Sequence, residues 1–174
     1  MFKLITKTIA TVAIVSVALF GSANAKTLKI ETHFTASSPN GEVAAQFAKN
    51  VEMFSGGSLK VEMFYSSSVT GKSAEVFNSA QTGIIDCDMT GAGYQTGKNA
   101  AFQFAGDVMG GYDNPYQQYE FLNFPGAQEA VDALYNKYGM TLIGWWIPGH
   151  ESLISSKPIP DVASIKDFKF RSPP

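Results

Sequence analysis

The 174-residue chain is poor in the side chains that most chemistry requires: one cysteine (Cys87), two histidines (His33 and His150) and a single arginine (Arg171). A lone cysteine forms no intramolecular disulfide, and Cys87 has no neighbouring cysteine or histidine with which to build a metal site or redox pair. Within IIDCDMT it reads as a small, buried, apolar side chain. The two histidines show no HExxH or related ligand spacing, and no nucleophile elbow is present. Asp86 and Asp88, two apart on an expected strand, share a side and could suggest paired carboxylates. They read instead as a strand end beside a polar loop, so nothing local supports an enzyme.

Phosphate-binding loops are also missing. Tyr65 to Ser73 runs from an expected strand into an expected helix, the right context for such a loop, but Ser66 stands where the first glycine is needed for close backbone approach. TGAGYQTGKN fails in the same way, with Ala92 at the first glycine position and Asn99 where a metal-binding hydroxyl is required. Long uncharged runs are confined to the start of the chain. MFKLITKTIATVAIVSVALFGSANA has a charged region at Lys3 and Lys7, an apolar region from Thr8 to Phe20, and a small-x-small site at Ala23-Asn24-Ala25, so residues 1–25 read as a secretory signal peptide. A single membrane anchor is the alternative; 18 uncharged residues weakened by Gly, Ser and Asn are short for a span. Without the leader, 11 basic residues stand against 15 acidic ones, a formal charge of −4. That balance disfavours nucleic acid, which demands a basic face, and export places the protein in the periplasm.

The remainder has the composition of a packed domain, with 45% hydrophobic residues and 13 phenylalanines in the whole chain. LKIETHF (28–34) alternates with period two and predicts a first strand. SSPNG follows as a turn cluster. From Glu42, Val43, Phe47, Val51 and Phe54 recur at helical spacing, which predicts one apolar face and a helix stopped by Gly56-Gly57. SLKVEMFY predicts a second strand, residues 73–82 a second helix, and IIDCDM a short third strand. Helices are expected over 115–123 and 127–138, and MTLIGWW (140–146) as a strong strand. Alternating strands and helices imply parallel strands with crossover helices, hence an α/β architecture. Ligands on such sheets sit beyond the carboxyl ends of the strands. The residues there are aromatic and modestly cationic: His33, Tyr94, Trp145, Trp146, His150 and Arg171. An arginine between Phe170 and a rigid Ser-Pro-Pro offers a fixed fork for a carboxylate.

SSKPIPDVASIKDFKFRSPP resembles a signature of the solute-binding proteins of tripartite ATP-independent periplasmic (TRAP) transporters. Lys157-Pro158-Ile159, Ile165-Lys166-Asp167-Phe168 and Lys169-Phe170-Arg171-Ser172-Pro173 fill the places of its recurring segments. The usual glycine before the basic strand is absent, which predicts a different turn or a one-residue deletion. THFTASSPNG, the Gly-Gly-Ser-Leu-Lys-Val strand, GYQTGKNAAFQF and VMGGYDNPYQQYEFLN extend the resemblance over the mature chain. The last two are most similar to the branch that binds 2-oxo acids and related carboxylates.

The resemblance implies a two-lobed α/β fold that closes on its ligand by hinge motion and delivers it to membrane permease subunits. Arg171 matches the arginine that pairs with the ligand carboxylate, and Tyr94 a cleft aromatic. His150 stands where a polar residue contacts the ligand or a bound cation, while His33 and Phe34 lie on a loop that reaches the cleft. Trp146 completes this ligand-binding set; no cofactor is expected beyond a ligand-bridging cation. Family members are about twice as long, so the expected organisation is lobe one over 26–147 and the start of lobe two over 148–174, as in a fragment or truncated frame. A chain ending there is expected to bind its carboxylate weakly, in the millimolar range, or not at all. A periplasmic ligand sensor of the same fold is the rival reading.

Overall fold

The computed structural model describes residues 25–106, 108, 110–147 and 154–169. The leader over 1–24, His150 and Arg171 lie outside the described residues.

The first strand, β1 (Lys26–Thr32), is central, with β2 (Leu59–Phe64) on one side and β3 (Cys87–Met89) on the other. Both pairings are parallel, Ile30 lying opposite Met63 on β2 and Cys87 on β3. Parallel neighbours require crossovers, and helix α1 (Pro39–Phe54) supplies the first. Its start is fixed by Ser38, whose hydroxyl accepts from the Gly41 amide at 3.1 Å and donates to the Thr35 carbonyl at 2.8 Å. Pro39 then occupies the first turn, where its missing N–H costs nothing. At the far end Gly56 and Gly57 both adopt positive φ (60° and 80°), closing the turn into β2.

The second crossover is a 3₁₀ turn at Ser73–Glu75 running into α2 (Val76–Gln81). Helices α3 (Pro115–Asn123) and α4 (Pro125–Asn136) follow, parted at Phe124, which Pro125 holds in an extended conformation. The core gathers on one side: Phe77 of α2, Phe102 of the 3₁₀ segment Ala100–Phe104, and Val131 and Leu134 of α4 are buried together. Phe77, Phe102, Tyr135 and Tyr138 pack as edge-to-face and tilted rings with centroids 5.2 to 6.0 Å apart.

Two expectations are corrected. Helix α1 buries Gly41 and Ala44 while Val43 and Phe54 remain 50% and 80% exposed, so the apolar face is rotated toward its small residues. Residues 140–147 adopt no regular secondary structure and form no ladder with any described strand. The Leu142 amide instead donates to Asp132 Oδ1 of α4 at 3.0 Å, while Met140, Leu142 and Trp145 pack on the core. At the glycine-less turn Asp167 itself takes the left-handed conformation, with φ 66°. Aspartate is among the side chains that tolerate it. It follows the short 3₁₀ segment Val162–Ile165, which Asp161 caps through Ser164 at 2.8 Å.

Candidate functional site

The loops that follow the strands are laced together. Beyond β1 the chain turns at His33-Phe34, and the Phe34 carbonyl accepts from the Ser66 amide at 2.9 Å, while the Thr32 carbonyl accepts from Ser67 at 3.1 Å. Ser66 and Ser67 both hold left-handed φ (57° and 51°), a conformation that costs about 1–2 kcal/mol at a non-glycine residue. A buried carboxylate over-determines it. Glu31 is fully buried, and its Oε1 accepts from the amides of Val69 (2.7 Å) and Thr70 (3.3 Å). Its second oxygen, Oε2, has no partner.

Tyr94 comes from the 3₁₀ segment Ala92–Gln95 just beyond β3. Buried Gln95 anchors that segment by donating from Nε2 to the Ala74 carbonyl at 3.3 Å. Trp146 comes from the segment after α4, in which Trp145 faces the core. These loops bring four of the six sequence-selected residues into contact. The rings of His33 and Phe34 lie 3.9 Å apart between centroids, His33 meets Tyr94 edge-on at 5.4 Å, and Phe34 meets Trp146 at 5.7 Å. The other two, His150 and Arg171, lie outside the described residues.

Electrostatically the cluster is quiet. Burial lowers the pKa of His33, so its imidazole is held neutral near pH 7. Its Nδ1 is enclosed and lacks a hydrogen-bond partner. Behind it on β3, burial pushes the Cys87 thiol up, reinforced by Asp86 and Asp88; a protonated thiol is a poor nucleophile. Asp86 is occupied structurally, its Oδ2 accepting from the Lys29 amide at 2.8 Å. Among the described residues no group of three or more His, Cys, Asp or Glu side chains could hold a metal ion. No helix among them is long and apolar enough to cross a membrane.

Glu31, the Ser66-Ser67 turn and Gln95 escape sequence reasoning. Glu31 sits on the polar side of an alternating strand, which in isolation reads as solvent-facing. Only the second covered face of a parallel sheet buries it.

A three-stranded parallel sheet with crossover helices and an aromatic cluster at its carboxyl edge defines a lobe of the periplasmic solute-binding type. Residues 30–174 match the family described as bacterial extracellular solute-binding protein, family 7, and the chain belongs to that family. Among solved structures it resembles a TRAP periplasmic solute-binding protein from Rhodobacter sphaeroides in an apo, open state. The TM-score is 0.63 and the identity 26%, over 68% of this chain and 37% of that one. A TRAP solute-binding protein from Pseudoalteromonas atlantica with bound sodium and pyruvate gives TM-score 0.61 at 20% identity, over 67% of this chain and 35% of that one. An extracytoplasmic solute receptor from Bordetella pertussis that binds pyroglutamic acid gives 0.57 at 21%, over 68% and 38%. The chain thus spans little more than a third of the length of these structures, and the latter two share its fold.

Proposed function

We propose that the chain acts in the periplasm as the extracytoplasmic solute receptor of a TRAP-type transporter, capturing a small organic carboxylate for delivery to membrane permease subunits. The observation that carries this reading is the contact of His33, Phe34, Tyr94 and Trp146 beyond the carboxyl ends of parallel strands, where ligands of open α/β sheets bind. The rings exclude water and lower the local dielectric, which strengthens any ion pair formed beside them. Arg171 is assigned the carboxylate and His150 a polar contact, on the strength of the sequence signature around them. Pyruvate and pyroglutamic acid in the related structures make a small carboxylate the first ligand class to try. Sodium accompanies pyruvate in one of them. No step is assigned to a cation. The role is capture and release without catalysis.

Isothermal titration of the full chain with pyruvate and with pyroglutamate tests the reading. Saturable binding that Arg171→Ala weakens by tenfold or more, about 1.4 kcal/mol, is the expected result. Binding of either acid with an affinity indifferent to Arg171 overturns it.

A further inference from the structure

Of the six residues assigned to the ligand, His33 is the one whose hydrogen-bonding state the described surroundings determine. Its two ring nitrogens are not equivalent. Nδ1 is buried and has no hydrogen-bond partner, whereas Nε2 is not enclosed in this way. The ring packs on Phe34, with centroids 3.9 Å apart, and meets Tyr94 edge-on at 5.4 Å. A buried N–H without an acceptor forfeits a full hydrogen bond, and both the Nδ1–H tautomer and the charged imidazolium would bury such a donor at Nδ1. An enclosed, unprotonated nitrogen is the cheaper arrangement, because only a lone pair goes unmatched. The proton therefore belongs on Nε2.

We infer that His33 is a specificity-determining residue that donates a hydrogen bond from Nε2–H, with Nδ1 unprotonated, and so selects ligands that present an oxygen acceptor to the aromatic cluster. This rests on the proposed carboxylate-binding role and adds to it the identity of one recognising group. Burial lowers the pKa of the ring and so favours its neutral form, in which the contact supplies direction and no charge. An oxo or hydroxyl oxygen satisfies it. An ammonium group, which offers only donors, leaves Nε2–H unmatched and is rejected.

The test has two readouts. Nitrogen-15 NMR of the imidazole in the unliganded full chain at pH 7 reports the tautomer without any ligand. A protonated Nε2 with a bare Nδ1 is expected, and a protonated Nδ1 or an imidazolium overturns the inference. Titration with pyruvate then compares His33→Gln, which keeps a donor, with His33→Phe, which keeps the ring and loses it. His33→Gln is expected to stay within about threefold of the parent and His33→Phe to lose tenfold or more. Equal affinity of the two variants for pyruvate, or binding of alanine as tight as that of pyruvate, overturns the selecting role. If the parent chain does not bind pyruvate, the selection of an oxo acid fails, the carboxylate reading passes to the pyroglutamate titration, and the NMR result still decides the tautomer.

Discussion

Glu31 and Asp88 face each other in register across the β1–β3 pair, so their side chains project from the same face of the sheet. Register partners on neighbouring strands stand about 5 Å apart. Glu31 is fully buried with Oε2 unpartnered. Asp88 is partly buried and accepts from the Thr90 hydroxyl at 2.6 Å. Neither has an ion-pair partner among the described residues, where the one salt bridge joins Lys60 to Glu52.

Burial pushes the Asp88 carboxyl up to about 6, with Glu31 adding to the rise and the Thr90 hydrogen bonds opposing it. A folded-state pKa above the unfolded value of 3.8 means that stability is fully present below pH 3.8 and is lost as pH rises through about 6. The loss amounts to about 3 kcal/mol. Urea unfolding of parent and Asp88→Asn, compared from pH 4 to pH 7.5, should show the variant gaining on the parent as pH rises. A constant difference would mean that Asp88 ionises normally.

Ser66 offers a gain in stability. It is exposed and held at φ 57°, where glycine carries no Cβ penalty. Its amide bond to Phe34 is made by the backbone and survives substitution. Ser66→Gly should raise unfolding free energy by up to about 1 kcal/mol, the strain relieved outweighing the added chain entropy. A destabilised variant would show that the serine side chain itself holds the turn.

How much of this was legible in the sequence follows from the range of the forces involved. Strands β1 and β2, the helix from Pro115 to Asn123 and the parallel topology rest on local periodicity and on Pro and Gly punctuation, which one segment carries by itself. MTLIGWW has all the marks of a strand, yet a strand exists only by virtue of a partner, and the amide of Leu142 finds Asp132 instead. The buried face of α1 was misread because Gly41 and Ala44 contribute closeness of approach, which an apolar count ignores. His33 and Tyr94 could be picked out because topology sends post-strand loops to one edge, Phe34 came from the family resemblance, and Trp146 was selected through a strand that does not form. Glu31 could not be picked out, since its burial depends on a loop 38 residues away.

Gly41 tests that closeness directly. A Cβ at this position would collide with the Thr35 carbonyl, whose backbone also accepts the Ser38 amide at 3.1 Å. The obstacle is backbone, so no side-chain rotation relieves it. Gly41→Ala should cost 1–3 kcal/mol by overpacking, despite alanine's higher helix propensity, about 1 kcal/mol in its favour at an unobstructed position. Chemical denaturation monitored by circular dichroism reads the sign, and a stabilised variant would show that the loop can move aside.

Asp132 links the core to the aromatic cluster. One carboxylate oxygen accepts from the Leu142 amide and the other from Asn136 Nδ2, each at 3.0 Å. The first bond takes the place of a ladder hydrogen bond for the segment that carries Trp145 onto the core and Trp146 against Phe34. Asp132→Ala leaves that amide without its acceptor, at a cost of about 1–2 kcal/mol, and loosens the segment more than the sheet. Hydrogen exchange should therefore accelerate at Leu142 while amides of β1 keep their protection, and tryptophan emission should shift to the red as Trp146 loses contact with Phe34. Unchanged exchange at Leu142 would mean that core packing of Met140, Leu142 and Trp145 holds the segment unaided. In that case the position of Trp146 in the cluster would depend on the hydrophobic contacts alone.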